Sequence, residues 1–268
     1  MSYSTFLSTQ TPIAMIVIGA AILVLIFVHL FLHKTTRGLG LYGEWKVAKT
    51  LKRFFARKTP IINNYICFDP NYNNVLSKRE KKTVQIDHVV VCEKGVLVIE
   101  TKNCAGTLYG DDEQREWTQV LAGGRVKNAL YNPVKQNATH CYHIRRIVGR
   151  DVPVKSIVVL IRDNADKLSC SGNVIGLSGL QRYLSSLPSV MDDDEIADAY
   201  QKLSAENVSR SVSSRRHNRN VKRRSRDVAR GICPRCGGVL LPRCGEDNVP
   251  FHGCKNYPKC RFTTKRGL

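Results

Sequence analysis

Residues 84–103 read VQIDHVVVCEKGVLVIETKN. Two runs rich in β-branched residues flank Cys92-Glu93-Lys94-Gly95, the pattern of two antiparallel strands joined by a tight turn. If Glu93 and Lys94 are the two loop residues, Cys92 faces Gly95 and each later pair follows, until Asp87 faces Glu100 with Cβ atoms about 5 Å apart. Lys102 lies two residues beyond Glu100 and shares its face, because side chains alternate along a strand. A bulge at Gly95 would shift this pairing by one residue. Two carboxylates so close repel each other unless a divalent cation lies between them, and a neighbouring lysine can orient or polarise a water molecule.

Working outward, residues 44–57 place Val47, Leu51, Phe54 and Phe55 at helical spacing, after a Gly-containing link, RGLGLYG. An amphipathic helix follows from that spacing, and its apolar face needs a sheet to cover. Residues 61–68 form a further strand candidate. Asn132-Pro133 opens a helix through about Val148, with Asn132 as N-cap and Pro133 at the first helical position. Residues 154–161 read as a strand buried on both faces. A last helix over 192–204 opens with acids that suit its dipole. The order helix, strands, helix, strand, helix gives an α/β or α+β class.

The constellation resembles the PD-(D/E)xK nuclease core, and more closely the nuclease-related domain known as NERD. The features that carry the resemblance are Gly43-Glu44, Gln85-Ile86-Asp87-His88 before a valine run, the stretch from Gly95 to Asn103, Gly106, Trp117, and Asn132-Pro133 with Gln136. It spans about residues 41–149 and implies a restriction-endonuclease-like mixed sheet with flanking helices. It further implies that Asp87 and Glu100 hold Mg²⁺, that Lys102 acts on the water, and that Glu44 and Gln136 line the site. The Pro-Asp pair that names the superfamily reads Ile86-Asp87 here. A surface ion trio on a hairpin is the plainer alternative.

The chain has 268 residues, room for one sizeable core plus appendages. Residues 13–32, IAMIVIGAAILVLIFVHLFL, are apolar except for His29, and at about 1.5 Å per residue they reach across about 30 Å of hydrocarbon. Residues 1–12 contain no Lys or Arg and no small-x-small cleavage site precedes the next domain, so an uncleaved membrane helix over 13–33 is expected rather than a signal peptide. Positive charge follows the segment at Lys34 and Arg37, which places the N-terminus outside and the bulk in the cytoplasm. The expected divisions are a tail over 1–12, the membrane helix, a nuclease-like domain over 38–150, its extension over 151–208, a basic linker over 209–230 and a metal-binding tail over 231–268.

The net charge of +20 points to a polyanionic partner. Residues 210–268 hold 16 Lys and Arg against 3 Asp and Glu, a surplus of 13, while the rest of the chain supplies only 7. Residues 209–230 are nearly free of apolar side chains and cannot bury a core, so they read as a linker or phosphate-binding arm that includes Arg223 and Arg224. Of the ten cysteines, five are scattered and five lie between Cys233 and Cys260. A disulfide framework is thereby disfavoured and a reducing compartment indicated. Cys233-Pro-Arg-Cys236 is a turn that supplies half of a tetrahedral zinc site, and Cys254 with Cys260 completes it. Cys244 is spare, although it or His252 could replace a ligand.

CPRCGGVLLPR followed by FHGCKNYPKCRFTTK resembles the C-terminal zinc finger of bacterial type IA DNA topoisomerases. That family's fingers bind single-stranded DNA, which suits Phe251, Tyr257 and Phe262 interleaved with Lys255, Lys259, Arg261 and Lys265. Aromatic faces stack bases while cations hold phosphates, and at least one aromatic is expected to form a small core around the zinc. Nothing else in the chain resembles a topoisomerase. The resulting expectation is a single-pass protein of the bacterial inner membrane that hydrolyses DNA with Mg²⁺ and grips it, or RNA, through a zinc finger. The rivals are a non-catalytic nucleic-acid tether and a protein whose basic arm binds anionic lipid. An impermeant thiol reagent is expected to leave Cys170 unlabelled in intact spheroplasts and to reach it after permeabilisation. Labelling before permeabilisation would reverse the orientation.

Overall fold

A computed structural model describes residues 15–28, 30, 35–69, 82–171, 173–209, 211–212, 214–245 and 249–264. The apolar N-terminal segment is helical over 15–28 and at residue 30. Among the described residues no helix is long and apolar enough to cross a membrane. Residues 1–14, 29 and 31–34 of the expected tail and span lie outside the described residues.

Helix α1 (Thr36–Phe54) begins at Thr36 rather than Glu44. Its glycines each cost about 1 kcal/mol against alanine, which is why RGLGLYG reads as a link. The Thr35 hydroxyl nevertheless caps the first turn by accepting from the Gly38 N–H at 2.9 Å. The helix stops where Phe55 turns extended (φ −86°, ψ 149°), its N–H closing on the Leu51 carbonyl. Strands β1 (Ile61–Phe68), β2 (Thr83–Cys92) and β3 (Gly95–Lys102) follow, then a second meander of β4 (Thr107–Asp111), β5 (Glu116–Leu121) and β6 (Val126–Tyr131). Helix α2 (Pro133–Val148) leads to β7 (Val154–Leu160), β8 (Leu168–Ser169), β9 (Val174–Gly176), α3 (Leu180–Ser186) and α4 (Asp193–Glu206). The tail holds α5 (Ser214–Ala229), β10 (Leu240–Cys244), β11 (Pro250–Cys254) and β12 (Thr263–Thr264). The class is mixed α/β, with sheets ordered β1-β2-β3-β7-β9, β6-β5-β4-β8 and β10-β11-β12.

The chain divides into two compact units, one of Met1–Arg57, Thr101–Pro133 and Val158–Ser186, the other of Lys58–Glu100, Val134–Ile157 and Leu187–Leu268. In the second unit the hairpin has the two-residue loop expected. Cys92 pairs with Gly95 and the register runs without a bulge to His88 opposite Ile99. Gly95 has φ +108°, and a Cβ there would meet the Pro153 carbonyl oxygen at 2.6 Å, so only glycine fits. The turn is latched from outside: the Glu93 carbonyl accepts from the N–H groups of Val190 and Met191, and the Lys94 ammonium donates to the Leu187 carbonyl. Tyr65, Ile86, Val89, Val91, Val96 and Val98 form a core with Cys141, Ile144 and Val148 of α2 and Ala199 and Leu203 of α4. Asp192 and Glu195 close a capping box at the start of α4, as the acids there suggest.

In the first unit, α1 buries Val47 and Leu51, on the face its spacing marked. At Gly43 the helix passes close to the end of β3, where a Cβ would stand 3.1 Å from both Asn103 Cβ and Ile161 Cγ1. Trp117 is fully buried and its indole N–H donates to the Asp111 carbonyl at 2.9 Å. The Asn132 side-chain amide, expected as a helix cap, donates to the Asp111 and Gln114 carbonyls and so ties the 111–114 turn to the start of α2.

The stretch expected as a basic linker is largely helix α5. Arginine and lysine are good helix formers even where no apolar stripe announces them. Val228 packs against the Cys233, Leu240, Cys254 and Cys260 cluster, and His217 Nδ1 lies 2.8 Å from the Thr83 hydroxyl on β2.

Asn137, fully buried on α2, donates to the Val98 and Ile157 carbonyls and to the Ser156 hydroxyl. Asn137→Ala strands two buried carbonyls and is expected to lower stability by about 2–4 kcal/mol, read as a fall in the denaturation midpoint at unchanged slope.

Candidate active site and metal centre

The β2–β3 pairing runs as far as His88 opposite Ile99, and Asp87 and Glu100, the two expected carboxylates, are the next residues along each strand. Asp87 is half-buried on β2. Glu100 is only 2% exposed. A carboxylate that deep is costly unless polar groups hold it. The Gln136 side-chain amide donates to Glu100 Oε1 at 2.7 Å, and His140 Nδ1 lies 3.5 Å from Oε2. Gln136 and His140 are one helical turn apart on α2 and therefore share a face. His140 escaped the sequence reading, although its spacing from Gln136 was the available signal. His88 points to the other side of β2, where its Nδ1 meets the Asn63 side-chain oxygen at 2.7 Å. Burial lowers its pKa to about 4, so it is neutral and no acid–base partner for Asp87.

Lys102 and Glu44 belong to the other unit. Lys102 is half-buried at the end of β3, and its carbonyl accepts from the Ile161 N–H at 2.9 Å. Glu44, also half-buried, follows Gly43 at the point where α1 approaches Thr101 and Asn103. The Asn103 side-chain amide donates to the Leu39 carbonyl at 2.7 Å. The Gly43-Glu44 and Thr101-Lys102-Asn103 signatures thus meet at one place in this unit.

In the tail, the sulfurs of Cys233, Cys236, Cys254 and Cys260 all lie within 4.8 Å of one another. Sulfur separations of 3.7 Å for Cys233–Cys260 and 3.3 Å for Cys236–Cys254 approach the edge of about 3.8 Å of a tetrahedron with Zn–S bonds of about 2.3 Å. The Asn256 N–H donates to Cys254 Sγ and its side-chain amide to Cys236 Sγ, both at 3.4 Å. Burial alone would raise the Cys236 thiol. The Gly238 N–H and hydrogen bonds from Cys254, Asn256 and Cys260 bring it down, while burial pushes the neighbouring Cys233 and Cys254 thiols up, so in the metal-free cluster Cys236 is the sulfur that gives up its proton first. Cys244 is exposed on β10, and His252 on β11 is not one of the clustered ligands. The four residues fit a structural zinc ion, and among the described residues no other group of three or more His, Cys, Asp or Glu comes together in this way.

The residues expected to touch nucleic acid surround this cluster. Phe262 packs on it and supplies the small core, while Tyr257 is 62% exposed. Phe251, Tyr257, Arg261 and Phe262 line a cavity of about 390 Å³ with Arg243, whose guanidinium lies 5.9 Å from the Tyr257 ring. Gly253 makes room for that side chain, since a Cβ there would meet Arg243 Cδ at 2.7 Å. Arg243 was not legible as a site residue because only the β10–β11 pairing brings it opposite Phe251. Lys255, Lys259 and Arg261 are exposed, as is Arg223 on α5, whereas Arg224 is half-buried.

Comparison with known proteins agrees with this geometry. A family model described as the nuclease-related domain matches residues 39–161, and one described as the topoisomerase DNA binding C4 zinc finger matches residues 230–266. A Bacillus anthracis protein described as uncharacterized is 31% identical over 176 residues, covering 63% of this chain and 77% of the relative. The chain belongs to the nuclease-related domain family. No solved structure matches it. The NERD match takes in α1, the hairpin, the second meander and α2, and runs on through β7.

Cys233→Ser in this NERD protein is expected to release the zinc and unfold the finger locally, whereas Cys244→Ser should retain one zinc per chain. Metal content by atomic emission checks both, and equal loss from the two variants would show that the ligands are misassigned.

Proposed function

We propose that this chain is a Mg²⁺-dependent phosphodiesterase acting on DNA, with a restriction-endonuclease-like core. Its finger binds single-stranded DNA, or RNA, and residues 13–33 hold it on the cytoplasmic face of a bacterial membrane. The observation that carries the reading is the buried Glu100 carboxylate, held by the Gln136 amide with His140 3.5 Å away, one residue beyond the Ile99 that pairs with His88. Mg²⁺ is commonly held by one or two carboxylates with water and substrate phosphate completing the octahedron, so Asp87 and Glu100 suffice as protein ligands. When bound there, the ion supplies charge neutralisation and polarises the scissile phosphate.

The chain's own groups do the rest. Gln136 and His140 keep the Glu100 oxygens from rotating, which preorganises the site before substrate arrives. By the family resemblance, Lys102, two residues beyond Glu100 on β3, is the residue that orients the attacking water, and Glu44 is a further residue of the family's site. In the finger, Tyr257 and Phe251 offer faces for bases, while Arg243, Arg261, Lys255 and Lys259 hold phosphates. The exposed cations of α5 extend that hold without reading sequence.

Glu100→Ala and Lys102→Ala are each expected to slow cleavage by about a hundredfold or more, the scale of losing one preorganised catalytic group. DNA affinity should change less than about threefold, because the tail supplies most phosphate contacts. The assay is turnover of single-stranded and duplex DNA and of RNA with and without Mg²⁺, beside a binding titration. Wild-type turnover by Glu100→Ala would remove the site as drawn. A wild type inactive on every substrate that still binds DNA would make the chain a tether.

A further inference from the structure

Helix α1 has two faces of opposite character. With 3.6 residues per turn, Leu41, Tyr42, Trp45, Lys49, Lys52 and Arg53 fall on the side opposite Gly43, Val47 and Leu51. Burial follows that division. Val47 and Leu51 are fully buried, while Trp45 is 54% and Leu41 45% exposed, and Lys49, Lys52 and Arg53 face solvent. The outer face is organised: the Tyr42 and Trp45 rings stack with centroids 5.9 Å apart, Lys46 Nζ lies 4.9 Å from the Tyr42 ring and Lys49 Nζ 4.9 Å from the Trp45 ring. Residues 34–58 carry eight Lys and Arg against one acid, Glu44, which lies toward the packed side.

We infer that this outer face of α1 is a docking surface for anionic phospholipid headgroups, laid flat on the membrane to which the preceding apolar segment is attached. The inference deepens the membrane part of the function proposed above and rests on it. Three observations favour this occupant. The apolar stretch 13–32 ends just ahead of the Thr35 cap, so α1 starts within a few residues of the expected bilayer surface. Trp and Tyr beside Lys is the composition of the interfacial zone, where an amphipathic ring and a long cationic side chain are both satisfied. A basic cluster directly cytoplasmic of a membrane segment is attracted by the negative potential of anionic lipid. Nucleic acid fits less well, because a base needs a bare ring face on which to stack, and Tyr42 and Lys49 already lie against Trp45. On this reading α1 also fixes the first unit against the bilayer through the same helix that carries Glu44.

The test uses the full-length chain reconstituted into phosphatidylcholine vesicles with brominated acyl chains, with and without phosphatidylglycerol. Flotation reports attachment, and the fluorescence difference between the wild type and Trp45→Phe isolates the Trp45 signal from buried Trp117. The expected result is flotation in both lipids, with Trp45 quenched at least about twofold more when phosphatidylglycerol is present, and with that excess removed by high salt. The Lys49→Glu, Lys52→Glu, Arg53→Glu variant should float yet lose the excess, with an unchanged circular dichroism spectrum. The comparison of the two lipids on the wild type needs no variant. Flotation with equal quenching in both lipids overturns the docking surface and leaves the anchor standing. Failure to float overturns both. Quenching of Trp45 by added single-stranded DNA in place of lipid overturns the assignment in favour of nucleic acid.

Discussion

The turn at Glu93 and Lys94 sets the register of β2 against β3, and with it the side of the sheet on which each functional group emerges. Gly95 at φ +108° closes that turn, and the Pro153 oxygen fills the space where any other residue would carry a Cβ. The Val96 N–H donates to that same oxygen, so the glycine and the contact enforce each other. A slip of one residue would exchange Glu100 for Ile99 or Thr101 on the face that Gln136 and His140 address. The Gln136 amide, and His140 beside it, would then lose the carboxylate they address. The cost of stranding them reinforces the register from the far end of the strand, beyond the reach of the turn.

The hairpin, the body of α1, α2, β7 and α4 were legible because each has a strong local signal: alternation, a helical stripe, Asn-Pro, a β-branched run, an acid-rich start. The four zinc ligands were legible for a similar reason, since a short tail without a core has little other use for cysteines at such spacing. What escaped has a physical explanation in each case. Strand β6 is mostly exposed and carries no alternating apolar pattern, and β8 and β9 are too short to show one. The first turns of α1 hid behind three glycines that a threonine cap outweighs. Arg243 acquires its place only through strand pairing across from Phe251, whereas His140 shares a helix face with Gln136, a local spacing that the sequence does carry.

Helix α5 changes how the tail is understood. A flexible basic arm would let the finger wander, but Val228 joins the core around the four cysteines and the Ile232 N–H folds back onto the Asp227 carbonyl. Near its other end His217 meets Thr83 on β2. Between these two attachments the exposed Arg219, Lys222, Arg223 and Arg226 recur at the spacing of one helix face. The cations therefore form a stripe of about 10 Å, held in place at both ends rather than diluted over a random coil.

This placement answers a problem posed by the candidate active site. On the function proposed above, the Asp87 and Glu100 carboxylates stand where a phosphodiester would arrive, and until a divalent cation offsets them they repel it. On that reading affinity does not originate at the carboxylates themselves. It has to come from elements whose cations are not neutralised by the same carboxylates, and a tail with a surplus of 13 positive charges is such an element. On the same reading, separating the grip from the chemistry leaves each free to vary: losing a cation of the tail would weaken binding everywhere along a strand, whereas losing the held carboxylate would leave the grip intact and remove only what happens at one bond. The zinc finger, with its own small core and four ligands, can carry that grip without drawing on the hydrophobic core that positions Glu100.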